Sequence, residues 1–130
     1  MLLSDGAGGY LGPALIGTAS GPGSLASGDL DRDGRPDLVL GLSGDRIGVL
    51  LGNGTGGFRS AATFGSLGPP QGLALADLNA DGKLDVVAAQ DELSASLVVM
   101  LGNGAGGLGA PSALATGPGD AVAVADVNGN

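Results

Sequence analysis

Two nine-residue runs gather seven of the thirteen acidic side chains of this sequence. Asp29-Leu30-Asp31-Arg32-Asp33-Gly34-Arg35-Pro36-Asp37 follows the pattern D-x-D-x-D-G-x-x-D, and Asp77-Leu78-Asn79-Ala80-Asp81-Gly82-Lys83-Leu84-Asp85 follows it with Asn at the third position. Oxygens at alternate positions converge on one point when the backbone curls around it, and six to eight oxygens at about 2.3 to 2.6 Å suit a calcium ion. Magnesium fits less well, because it holds its waters too tightly to exchange them for so many carboxylates. The expected ligands are the side chains of Asp29, Asp31, Asp33 and Asp37 with the Arg35 carbonyl, and those of Asp77, Asn79, Asp81 and Asp85 with the Lys83 carbonyl. Gly34 and Gly82 would supply the positive φ at the bend.

The bland alternative is a pair of solvated acidic turns, since Asp, Asn and Gly are common turn residues. Two copies in register weigh against it. Two carboxylates 4 Å apart at an effective dielectric of 20 repel by roughly 4 kcal/mol, so four together call for a cation. Calcium bound only to the folded state would add about 2.7 kcal/mol at 100 times its dissociation constant. An EF-hand is excluded, because the twelfth positions are Leu40 and Ala88 rather than Glu and the flanking segments read as strands. A third run, Asp126-Val127-Asn128-Gly129-Asn130, starts the same pattern and stops before its last acid, so Asp126, Asn128 and Asn130 are expected to form a partial site.

The elements that must hold these runs repeat with them. Leu51-Gly52-Asn53-Gly54-Thr55-Gly56-Gly57-Phe58 recurs as Leu101-Gly102-Asn103-Gly104-Ala105-Gly106-Gly107-Leu108, and in altered form as Leu3-Ser4-Asp5-Gly6-Ala7-Gly8-Gly9-Tyr10, in steps of 48 and 50. The acidic runs keep nearly the same beat, at Asp29, Asp77 and Asp126. A period near 49 that contains several short strands fits a propeller blade and is too long for ankyrin or leucine-rich units.

Each repeat divides into four strand-like runs. The first alternates large and small residues, as in Leu73-Ala74-Leu75-Ala76, Val122-Ala123-Val124-Ala125 and, less regularly, Leu25-Ala26-Ser27-Gly28, and suits an innermost strand. The second is Asp37–Leu40 and Asp85–Ala88; the third is Ile47–Leu51 and Leu97–Leu101, rich in aliphatic residues. A fourth run follows the Asn53-Gly54 and Asn103-Gly104 turns; Pro13 and Pro111, at equivalent places three residues past Tyr10 and Leu108, put this strand at an outer edge, where a missing ladder donor costs nothing. The Gly-rich turns themselves are expected only to reverse the chain, since no helix follows them to form a phosphate site.

With these motifs the sequence resembles the FG-GAP/VCBS repeats of integrin α-subunit-like β-propellers, over nearly its whole length. Phe64-Gly65 and Gly109-Ala110-Pro111 echo the motif that gives the family its name. The resemblance implies an all-β fold of four-stranded antiparallel blades, each acidic loop lying between the first and second strands. It implies structural calcium in those loops, with partners bound by other loops on the propeller face. The expected division is the end of a blade with its outer strand at 1–23, complete blades at 24–71 and 72–120, and an inner strand at 121–130. That is about two and a half blades, an incomplete ring, whose open faces would be covered by self-association or by further blades.

Composition sets the remaining bounds. Thirteen acidic against five basic residues give a net charge of −8, which argues against nucleic acid or an anionic membrane as partner. The absence of Cys and His removes disulfides, thiolate nucleophiles, imidazole bases and ordinary zinc sites. No apolar run approaches the ~20 residues that span a bilayer, and any export signal would lie outside this sequence. The expectation is a calcium-stabilised scaffold or protein-interaction and adhesion module, extracellular or at a cell surface, where calcium is abundant. A carbohydrate-binding propeller is the alternative, although Tyr10, Phe58 and Phe64 make a sparse aromatic platform. An enzyme is not expected, because Glu92 is the only Glu and nothing marks a catalytic carboxylate pair.

Overall fold

Alternation of apolar and small residues between Gly-rich turns favours short strands, and strands are what form. The computed structural model describes residues 3–4, 10–11, 22–90 and 97–114. Strands β1 (Leu3–Ser4) and β2 (Tyr10–Leu11) pair as a small antiparallel sheet. Strands β3 (Pro22–Gly28), β4 (Asp37–Leu42), β5 (Arg46–Gly52) and β6 (Phe58–Gly65) form a four-stranded antiparallel meander in chain order. Strands β7 (Pro70–Ala76), β8 (Asp85–Gln90), β9 (Leu97–Met100) and β10 (Ser112–Leu114) form a second one with the same order. The fold is therefore all-β, built of four-stranded blades that do not close into a ring. No helix occurs among the described residues.

The inner-strand runs at 25–28 and 73–76 fall in β3 and β7, each at one edge of its sheet. β10 lies at the opposite edge of the second sheet and begins directly after Pro111, where a residue without an N–H does no harm. Pro13, the run 122–125 and the partial site at 126–130 lie outside the described residues. The two blades repeat even in their irregularities. β3 slips register between Pro22 and Ser24, and β7 does so between Pro70 and Gly72. A Pro that opens the inner strand cannot donate to the ladder, and the strand re-registers just beyond it.

The core forms where side chains of one parity from each blade meet. Val39 pairs with Val49 across the first sheet, and Val86 with Met100 and Ala88 with Val98 across the second. Together with Leu30 and Ile47 these residues form one buried cluster. Phe64 packs against it from the outer strand. Residues of the other parity, Leu40, Leu42 and Leu50, form a smaller cluster with Leu38 and Phe58. Both described Phe side chains are thus used in packing.

Polar groups fix how the blades join. Gln90 is buried, and its Nε2 donates to the Gly68 carbonyl at 3.1 Å and to Ser66 Oγ, which ties down the connection between β6 and β7. Ser24 Oγ on β3 donates to the Pro70 carbonyl on β7 at 3.1 Å, linking the two inner strands. This scaffold fixes both acidic runs between the first and second strands of a blade.

Candidate metal centre

Both acidic runs curl in the same way. Gly34 and Gly82 each have φ of 80°, as the bend requires. Arg32 and Ala80, at equivalent positions, also adopt positive φ, at 64° and 59°. Sequence reading does not anticipate these two, since the left-handed region costs a residue with a Cβ about 1–2 kcal/mol. The loop's own side chains offset that cost by capping its backbone.

The capping is nearly identical in the two copies. Asp29 accepts from the Asp33 N–H at 3.1 Å and the Gly34 N–H at 2.9 Å; Asp77 accepts from the Asp81 and Gly82 N–H groups at 3.0 and 2.8 Å. The third-position oxygen, from Asp31 or Asn79, receives the Asp33 or Asp81 N–H at 3.3 Å. Asp33 and Asp81 accept from the Arg35 and Lys83 N–H groups at 2.9 and 3.0 Å. These bonds draw the side chains inward. Each carboxylate oxygen in these backbone bonds retains a lone pair beyond the one occupied.

The ninth-position acids are held from a greater distance. Asp37 and Asp85 are 0% exposed. Asp37 accepts from the Leu30 N–H at 2.7 Å and from the Gly52 N–H at 2.8 Å, and Asp85 from the Leu78 N–H at 2.9 Å and the Gly102 N–H at 2.8 Å. Gly52 and Gly102 open the Gly-rich turns. A Cβ at either would collide with a backbone carbonyl oxygen, that of Pro36 or Leu84. The turn motif therefore does more than reverse the chain: its first glycine brings a backbone donor against the last acid of the loop. The equal beat of the two motifs was the available signal.

In the first loop, one oxygen each from Asp29, Asp31 and Asp37 lie within 4.8 Å of one another. Asp33 is directed elsewhere. Its Oδ2 receives Arg59 Nη2 at 2.9 Å and lies 3.6 Å from Arg35 Nη1, while Arg59 Nη2 also bonds Asp31 Oδ2. Arg59 comes from β6 and was not singled out in the sequence. In the second loop Asn79 replaces one carboxylate, and Lys83 Nζ reaches Asp81 Oδ2 at 3.3 Å. Desolvation works against the charge on Asp81. Hydrogen bonds from the Lys83 N–H and ammonium, the ammonium's charge and the Asn79 amide outweigh it and hold the carboxyl below its ordinary 3.8.

A repeated four-stranded blade with this loop between its first two strands has a counterpart among known families. The FG-GAP-like repeat matches at residues 37–88 and again at 77–130, together most of the sequence. The chain belongs to the FG-GAP-like repeat family. No curated protein and no solved structure matches it. In these FG-GAP-like repeats the donor set is all oxygen, part carboxylate and part amide, with the buried acid already fixed by two backbone N–H groups. Such a set fits a hard divalent cation and offers nothing to a soft one.

Proposed function

We propose that this chain is a calcium-binding, propeller-type repeat module with a structural, non-catalytic role. The observation that carries the reading is the convergence of Asp29, Asp31 and Asp37 oxygens within 4.8 Å, on a loop whose backbone hydrogen bonds recur in the second blade. Asp29, Asp31, Asp33 and Asp37 with the Arg35 carbonyl would hold one ion, and Asp77, Asn79, Asp81 and Asp85 with the Lys83 carbonyl a second. Bound calcium would supply the positive charge that four clustered carboxylates lack. The loop's own hydrogen bonds set its shape, and Asp29, Asp31 and Asp37 bring one oxygen each toward a common point.

The module's task on this reading is to hold blades rigid so that other loops meet a protein partner, as in an adhesion or interaction domain. Sites of modest affinity fit an extracellular or cell-surface setting, where calcium is plentiful. Exposed strand edges and the exposed Leu25 (59%) on inner strand β3 favour pairing with further blades or with a second copy.

Isothermal titration with calcium, and separately with magnesium, tests the metal. Two calcium equivalents are expected, falling to one in Asp37→Asn and in Asp85→Asn. Heats equal to buffer dilution would reject the reading. Light scattering with and without calcium tests self-association. A monomer under both conditions would leave the scaffold reading without its oligomeric component.

A further inference from the structure

Calcium at the first loop would meet a cation already in place. Arg59 reaches across from β6, 28 residues along the chain from Asp31, and its Nη2 bonds both Asp31 Oδ2 and Asp33 Oδ2. Its Nε donates to the Gly52 carbonyl at 3.3 Å. Gly52 is the residue whose N–H fixes Asp37, so one backbone unit orients both the buried acid and the guanidinium. The second blade has no such residue. Gly109 stands at the position equivalent to Arg59, and Asn79 stands in place of Asp31. The first loop thus has one more carboxylate and Arg59 across it, in addition to Arg35, which stands where the second loop has Lys83.

We infer that Arg59 is a resident counter-cation of the first loop, and that divalent binding there requires it to release Asp31 and Asp33, which makes the two loops unequal in affinity. This rests on the calcium reading of the loops. A guanidinium and a divalent ion seek the same carboxylate oxygens and repel each other there, so a close ion drives the guanidinium off. Without metal, Arg59 relieves the repulsion among the acids and keeps the loop folded. With metal, it competes. The Arg59 side chain is 42% exposed, so the pairing is screened and can be displaced by an ion supplied at ordinary concentrations.

The backbone amides of Gly34 and Gly82 report the loops separately, because each donates to the first acid of its own loop. Calcium titration followed by amide NMR at these two glycines, in wild type, Arg59→Gln and Arg59→Lys, tests the inference. In Arg59→Gln the Gly34 midpoint is expected to fall roughly three- to tenfold, the scale of two partly exposed ion pairs, while the Gly82 midpoint stays fixed. Arg59→Lys, a point charge without the planar fork, should fall between. In chelator, Arg59→Gln should melt a few degrees below wild type, and excess calcium should close that gap. An unchanged or raised Gly34 midpoint in Arg59→Gln, with Gly82 still titrating, would overturn the role of Arg59 and leave the calcium reading standing. No shift at either glycine in wild type would remove the calcium reading and the competition with it.

Discussion

A methyl group at Gly102 would meet the Leu84 carbonyl, so Gly102→Ala is expected to cost about 1–3 kcal/mol in urea unfolding. Because the same shift withdraws an N–H from Asp85, calcium binding at the second loop should weaken in parallel. Asp37→Ala removes the acceptor of two N–H groups, Leu30 and Gly52, and should destabilise the metal-free protein by on the order of 3 kcal/mol. A wild-type melting curve for that variant would mean that the buried acid does not organise the loop. Asp81 makes a prediction about pH. Its folded-state value is depressed, so the unfolded chain binds the proton more readily, and the associated stability is present above 3.8 and lost as pH falls below it. In chelator, Asp81→Asn should therefore flatten the acid limb of stability, and an unaltered limb would count against the Lys83 and Asn79 bonds. At this scale the sequence disclosed the acids and Gly34 and Gly82. It did not disclose Arg59, whose partners lie 26 and 28 residues away, nor the positive φ of Arg32 and Ala80, which only the closed loop imposes.

Strands were legible because their apolar content and spacing repeat. Asp85–Ala88 reads as a strand and forms one buried on both faces, and Leu97–Leu101 yields an alternating β9. The register slips after Pro22 and Pro70 were not legible, since a strand-opening Pro permits a bulge without demanding one. The packing between blades also lies beyond local pattern. Met100 is 1% exposed in a cluster drawn from both sheets, and Met100→Ala is expected to cost about 2–5 kcal/mol, read as a lower urea midpoint with an unchanged slope. A cost below 1 kcal/mol would mean that the blades do not share this core.

Taken whole, the molecule joins two equivalent blades through one apolar cluster and sets an oxygen-rich loop in the same place on each. Seven of the thirteen acidic residues lie in those two loops, and relieving their mutual repulsion is the stabilisation open to an ion. Scanning calorimetry in chelator and then at increasing free calcium tests this directly. The melting temperature is expected to climb continuously with calcium, the added stability reaching about 2.7 kcal/mol per loop at 100 times its dissociation constant, with little response to equal magnesium. Superimposable transitions in chelator and in saturating calcium would contradict it.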